Sequence, residues 1–250
     1  MKPWPYPRIF AHRGGGNLAP ENTLAAIRAG QALGYAAHEI DVKLSRDGVA
    51  MLLHDDTLDR TTSGRGRAAD LTWAQMLELD AGGWFSGYFG GERLPSLEDA
   101  ASLLRANGTR INIEIKPTPG FEHDTGILVA ARTQELWKGA KTQPLLSSFS
   151  FASLMAAKDT APTLPRGWLT ERFVDGDWDK LRALEAVSLH TDHKTLDRRE
   201  IARLHDKGYR VLVYTVNDAA KAQDLFDAGI DGIFTDSLRE FAGRFPDKIR

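Results

Sequence analysis

Short β-rich apolar runs alternate with helix-patterned segments along almost all of the 250 residues, and this alternation most constrains the fold. The runs occupy residues 8–12 (RIFAH), 36–44 (AAHEIDVKL), 110–116 (RINIEIK) and 143–150 (QPLLSSFS). They continue at 163–169, 186–191, 209–216 and 232–236, and a shorter extended piece ends at His54. Between them lie helical stretches such as TLAAIRAGQALG, SLEDAASLLRANG, 124–138, 151–159, TLDRREIARLHDKG and DAAKAQDLFDAG. Strands separated by helices read as βαβ units with parallel strands. About eight units in a chain of this length predict an α/β fold, a closed (β/α)8 or TIM barrel, with an open doubly wound sheet as the alternative. Asn22 is the expected N-cap of the first helix and Gly34 its stop.

One stretch breaks the rhythm. Residues 56–95 are rich in Gly, Thr, Arg and aromatics, with one short helix at WAQMLELDAG. They read as a small insertion after the second strand region, within a single domain spanning 1–250, with Trp and Phe enough for a satellite core. The formal net charge of −2 provides no basic field for nucleic acid. No cysteine is present, which excludes disulfides and thiolate chemistry. No apolar run is long enough for a membrane span, so a soluble cytoplasmic protein is expected. Nothing in the sequence points to an oligomeric state.

In such a barrel the strand C-termini gather on one face, where sites are built. His12 and Arg13 end the first strand, and His54 ends the short extended piece. Glu39 and Asp41 share one face of the second strand, as Glu114 and Lys116 do of the strand at 110–116, because side chains alternate with period two. Ile40 and Ile115 point the other way, toward covering helices. Two like charges about 4 Å apart repel by roughly 4 kcal/mol at an effective dielectric near 20. Convergence of Glu39, Asp41 and Glu114 therefore demands protons or a cation. Carboxylate oxygens are hard ligands and favour Mg²⁺ or Ca²⁺, with Mn²⁺ also suited, over zinc or copper.

Imidazoles titrate near neutrality, so His12 and His54 can serve as acid and base, with His12 taken as the base. Arg13 and Lys116 offer donors to phosphoryl oxygens. Gly14, Gly15 and Gly16 allow a turn that does not crowd a substrate. Glu21 could reach the same mouth or serve the helix dipole. His190, at a strand end, is an additional candidate, whereas His38, His123, His193 and His205 read as structural. A cation, two anion anchors and two proton carriers form a kit for phosphodiester hydrolysis.

The motifs AHRGGGNLAPENT, EIDVKLSRDGVAMLLHDDTLDRTT, LPSLEDA, NIEIKP, LLSSF and VLVYTVN, in this order over nearly the whole chain, resemble the bacterial glycerophosphodiester phosphodiesterases. The resemblance is closest to the cytoplasmic form associated with glycerol-3-phosphate uptake. It implies a TIM barrel that cleaves glycerophosphodiesters, such as glycerophosphocholine and glycerophosphoethanolamine, to sn-glycerol 3-phosphate and an alcohol. It further implies that His12 and His54 are catalytic, that Glu39, Asp41 and Glu114 hold one divalent cation, and that Arg13 and Lys116 bind the phosphate. Tyr214 stands where many members carry Trp, a change at the mouth that would adjust the alcohol pocket. Two other functions are weighed: a lysophospholipase D that lands on residues 82–91, and a barrel that only binds glycerophosphodiesters.

Overall fold

The computed structural model of the chain describes residues 4–249. In chain order the first half contains β1 (Ile9–Ala11), α1 (Leu24–Ala32), β2 (Ala37–Leu44), β3 (Ala50–Leu52), α2 (Trp73–Met76), α3 (Leu97–Ala106), β4 (Arg110–Ile115) and α4 (Glu122–Leu136). The second half contains β5 (Leu145–Ser148), α5 (Phe151–Thr160), β6 (Arg166–Thr170), α6 (Asp177–Ala183), β7 (Ser188–Asp192), α7 (Arg198–Asp206), β8 (Arg210–Tyr214), α8 (Ala219–Asp227), β9 (Gly232–Thr235) and α9 (Leu238–Arg244).

Eight of these strands run parallel in the order β1-β9-β8-β7-β6-β5-β4-β2, and the ring closes where Ala11 of β1 pairs with His38 of β2. The fold is a (β/α)8 barrel. β3 lies outside the ring, antiparallel to the C-terminal end of β2, with Val42 opposite Leu52 and Leu44 opposite Ala50. It carries the chain from the barrel to His54.

Alternation along the strands separates two cores. Outward residues such as Ile40, Val42, Ile113 and Ile115 pack with helix residues such as Ile27, Leu104 and Val129. Tyr6, Phe10, Ala37, Leu145, Leu212 and Phe234 form a separate apolar cluster, and Ala37 and Leu212 share strand parity with Asp41 and Tyr214 higher up. The barrel is thus filled with apolar side chains below and polar ones above.

Three local readings differ from the sequence expectation. Thr23, not Asn22, caps α1: its Oγ1 accepts from Ala26 N–H, while Asn22 adopts φ +56° and turns its side chain elsewhere. Helices α6 and α9 form where no helix is expected. Each is seven residues long and buries only two side chains, too thin an apolar stripe to register as a period. The segment after β3 has its satellite core, but Met51, Leu53, Leu58, Met76 and Leu94 build it, while Trp84, Phe85 and Tyr88 stay on the surface. Among the described residues no helix is long and apolar enough to cross a membrane.

Candidate active site

The chain leaves β1 through a single turn, His12–Gly14, in which Arg13 takes the left-handed conformation at φ +49°. Asn22, at φ +56°, donates its N–H to the Arg13 carbonyl at 2.9 Å, so two left-handed residues brace each other. Each such non-glycine residue costs about 1–2 kcal/mol, and what it gains is direction. Arg13 N–H donates to Glu39 Oε2 at 2.9 Å. The Asn22 amide donates to Asp41 Oδ2 at 2.8 Å and accepts from Asp41 N–H at 3.0 Å.

The glycines that follow make the turn, Gly14 at φ +89° and Gly16 at φ +54°, and also permit its close packing. A Cβ on Gly15 would stand 2.5 Å from the Ala26 carbonyl oxygen of α1, and one on Gly16 would stand 2.4 Å from that of Asp236. Their absence lets the helix and the end of β9 close on the turn.

His12, Arg13, Glu39, Asp41, His54, Glu114, Lys116, His190 and Tyr214 all line one cavity of about 170 Å³. Of the sequence candidates only Glu21 is not part of its wall. It sits behind Arg13, whose Nη1 donates to Glu21 Oε1 at 2.8 Å.

Glu39, Asp41 and Glu114 each turn one oxygen into a cluster whose atoms lie within 4.8 Å of one another. Register explains the convergence: Asp41 is the direct partner of Glu114 across the β2–β4 pair. Burial first, then the neighbouring Asp41 charge, pushes the Glu39 carboxyl up to about 8 and that of Glu114 up to about 7. Burial also opposes ionisation of Asp41, but His54, Lys116 and Arg13 outweigh it and hold this carboxyl below its ordinary range. Glu39 Oε1 is buried and has no hydrogen-bond partner. Lys116 Nζ lies 3.1 Å from Glu114 Oε1. An orphaned, buried carboxylate oxygen facing two further carboxylates fits a hard divalent cation.

The two imidazoles are mounted alike. His12 Nδ1 meets Asp236 Oδ1 at 2.7 Å, and His54 Nδ1 meets Asp55 Oδ1 at 2.6 Å. A carboxylate at Nδ1 selects the Nδ1–H tautomer and leaves Nε2 for chemistry. Their surroundings then diverge. His12 Nε2 lies 3.9 Å from Glu39 Oε2. Burial alone would favour neutral His12, but Asp236 and Glu39 override it and raise its pKa. At His54 the Lys116 ammonium stands 3.2 Å from Nε2, where it can only donate to a lone pair. Burial, Arg13 and Lys116 together lower the His54 pKa against the pull of Asp41.

His190 is fully buried with Nε2 2.9 Å from Ser188 Oγ, and burial pushes its pKa down to about 3, so it remains neutral. The Tyr214 hydroxyl donates to the Thr170 carbonyl at 3.0 Å, and its ring meets Phe149 edge-on at 5.9 Å. His38 faces outward from β2, bonded through Nδ1 to the Gly14 carbonyl at 2.6 Å.

Sequence reasoning missed Asp236, Asp55, Asn22 and Arg60. Asp236 follows β9 directly and satisfies the strand-end criterion that selected the others. Asp55 stands beside His54 in HDD. Arg60 falls within the motif that ends HDDTLDRTT, but neither a strand end nor a period marks it.

Fold and site together define a barrel enzyme of phosphoester chemistry. A sequence profile of the Glycerophosphoryl diester phosphodiesterase family matches residues 12–240, most of the chain. A glycerophosphodiester phosphodiesterase of Caldanaerobacter subterraneus subsp. tengcongensis is 34% identical over 232 residues, covering 91% of this chain and 93% of that one. One from Bacillus subtilis is 30% identical over 246 residues, covering 90% and 82%. A phosphodiesterase from Oleispira antarctica, solved in complex with the product sn-glycerol-3-phosphate, superposes with a TM-score of 0.89 at 34% identity, covering 97% of this chain and 98% of its own. The chain belongs to the glycerophosphoryl diester phosphodiesterase family.

Proposed function

We propose that the chain hydrolyses glycerophosphodiesters to sn-glycerol 3-phosphate and an alcohol with His12 and His54 as its proton carriers. The observation that carries this reading is the single cavity in which both imidazoles, each oriented by a carboxylate, face three clustered carboxylates and the cationic groups of Arg13 and Lys116. Membership of the family supports it.

Glu39, Asp41 and Glu114 would hold one divalent cation, Mg²⁺ or Ca²⁺ with Mn²⁺ also suited, which supplies neutralisation of phosphoryl charge when bound. Arg13 and Lys116 bind the non-bridging phosphoryl oxygens. Lys116 thereby leaves His54 Nε2 free as a lone pair, and His54 takes a proton from the attacking water as the water oxygen bonds to phosphorus. The P–O bond to the alcohol breaks, and His12 Nε2–H protonates the departing alkoxide. Asp236 and Asp55 keep each ring in register throughout. This division reverses the sequence expectation that His12 is the base. The charges around the rings give the reason, since His12 faces Glu39 and His54 faces Lys116.

The test is release of glycerol 3-phosphate from glycerophosphocholine after chelation and after return of each metal. We expect loss on chelation and recovery with a hard divalent ion; full activity after exhaustive chelation refutes the cation assignment. The exposed Trp84, Phe85 and Tyr88 favour a second reading, in which the alcohol belongs to a lysolipid. Faster turnover of lysophosphatidylcholine than of glycerophosphocholine would select it.

A further inference from the structure

Arg60 lies outside the cavity wall, on the segment that follows β3, yet it touches the supports of two residues inside that wall. Its guanidinium uses two edges. Along one edge, Nε donates to Asp55 Oδ2 at 2.6 Å and Nη2 to Asp55 Oδ1 at 3.0 Å. Along the other, Nη1 donates to Glu21 Oε2 at 2.7 Å and Nη2 to Glu21 Oε1 at 2.8 Å. Asp55 is the carboxylate on His54 Nδ1, and Glu21 is the carboxylate on Arg13 Nη1. One side chain thus closes a continuous path from His54 through Asp55, Arg60 and Glu21 to Arg13.

The path joins elements that the barrel alone does not hold together. Arg13 stands at the end of β1, Glu21 in the loop before α1, His54 beyond β3, and Arg60 in the inserted segment. Arg60 is itself anchored. Its neighbour Leu58 is fully buried in the satellite core, and Thr62 N–H donates to the Leu58 carbonyl at 3.1 Å. A rigid turn therefore presents a planar fork to two carboxylates. Only a guanidinium has the donor geometry for both edges at once, since an ammonium is a point charge with no fixed fork.

We propose that Arg60 is a positioning residue that locks the proton carrier His54 and the phosphate anchor Arg13 into one geometry. The proposal rests on the functional reading above. It differs from a simple surface ion pair in what it predicts. Surface pairs contribute little to stability, so a merely structural Arg60 would leave the kinetics alone. A positioning Arg60 affects two distinct kinetic quantities through its two arms. Loss of the Glu21 arm frees Arg13 and weakens substrate binding, whereas loss of the Asp55 arm frees His54 and slows proton transfer.

The experiment compares Glu21→Gln, Asp55→Asn, Arg60→Ala and Arg60→Lys in the cation-loaded enzyme, with glycerophosphocholine as substrate. Outer-sphere partners of functional groups typically contribute about 10–100-fold. We expect Glu21→Gln chiefly to raise KM, Asp55→Asn chiefly to lower kcat, and Arg60→Ala to do both, with kcat/KM down at least about tenfold. Arg60→Lys keeps the charge and should show the same double defect. Adding Glu21→Gln or Asp55→Asn to Arg60→Ala should cost less, in the parameter each arm controls, than the same change costs in the wild type, because part of what each carboxylate does is to carry the Arg60 lock. Guanidinium ion at millimolar concentration should partly restore Arg60→Ala but not the Glu21→Gln/Asp55→Asn double variant. Arg60 variants whose kcat and KM stay within about twofold of wild type, or whose losses multiply independently with those of Glu21→Gln and Asp55→Asn, overturn the positioning role. A wild-type enzyme that releases no glycerol 3-phosphate overturns the functional reading and this role together, while an active wild type with kinetically silent Arg60 overturns this role alone.

Discussion

Glu39→Gln should make the metal-free protein more stable while destroying its response to cations. Glu39 is buried beside Asp41 and Glu114, with the three ligand oxygens within 4.8 Å of one another. At that separation each pair of ionised carboxylates repels by about 3 kcal/mol at an effective dielectric near 20. The shifted carboxyl leads to the same magnitude. Ordinarily at 4.5, the Glu39 carboxyl rises to about 8 in the folded chain, because burial and Asp41 both oppose its charge. At pH 7 the unfolded chain must therefore take up a proton to fold, at about 1.4 kcal/mol per pH unit above 4.5, or about 3 kcal/mol. Glutamine keeps the shape and the acceptor for Arg13 N–H but carries no charge. We expect about 2–3 kcal/mol of added stability at pH 7 in chelator, or roughly 5 °C or more in Tm for a chain of this size.

The pH dependence has a definite sign. Between 4.5 and 8 the native state binds the extra proton, so wild-type stability falls as pH rises through this window. The Gln variant lacks that slope, and the two proteins converge near pH 4.5. A divalent cation reverses the order, since a ligand at a hundred times its Kd stabilises the state that binds it by about 2.7 kcal/mol and the variant has lost a ligand. Thermal or urea unfolding in EDTA and in millimolar Ca²⁺ or Mg²⁺ from pH 4.5 to 8 measures all four limbs. A Gln variant no more stable than wild type in EDTA at pH 7, or one that keeps the whole cation-induced rise, refutes the reasoning.

Other perturbations test other parts of the site. His12→Ala should slow substrates with poor alkoxide leaving groups by about 10²-fold or more and p-nitrophenyl esters far less, whereas equal losses would remove His12 as the donor. Asp236→Asn should lower kcat with little change in KM, as the His12 tautomer loses its carboxylate; an unchanged kcat in steady-state assays would count against that support. Gly16→Ala places a Cβ 2.4 Å from the Asp236 carbonyl oxygen at a residue with φ +54°, so denaturant midpoints should show a loss of more than about 2 kcal/mol; a loss under 1 kcal/mol would show that β9 gives way. Buried His190 has a folded pKa near 3 against 6.5 for the free side chain. The unfolded state thus binds the extra proton between those values, and stability is lost as pH falls through this window by up to about 1.4 kcal/mol per unit. His190→Gln should flatten that acid limb in urea titrations at pH 4–6.5, and an unaltered slope would mean that His190 does not contribute to it.

The parts of this site that were legible in the sequence are those governed by local period. Glu39, Asp41, Glu114 and Lys116 alternate with Ile40 and Ile115, and period two in a parallel strand sends the two sets to opposite faces whatever the rest of the chain does. The same rule located the barrel strands, while α6 and α9 escaped because two buried residues do not make a helical stripe. Asn22 departs from its expected place as N-cap for a different reason. Asn and Thr are both good N-caps, and propensity alone does not choose between neighbours. The choice was made by Asp41, a buried carboxylate that needs a donor, which claims the Asn22 amide and leaves the cap to Thr23. That requirement for partners, rather than any period, also governs the residues the sequence left hidden. Each imidazole of the cavity wall proposed as a proton carrier needs an acceptor at Nδ1, each such acceptor is a carboxylate, and one of these carboxylates in turn recruits a cation from an irregular segment. Asp236 lies 224 residues from His12, and Arg60 lies 39 from Glu21, so no window along the chain contains either pair. The local pattern therefore selects the residues that line the cavity, while the satisfaction of buried charge selects those that hold them still. Conservative exchanges should consequently fail most sharply where one planar group serves two carboxylates, as at Arg60, and be tolerated best where a lone hydrogen bond such as Tyr214 to Thr170 is at stake.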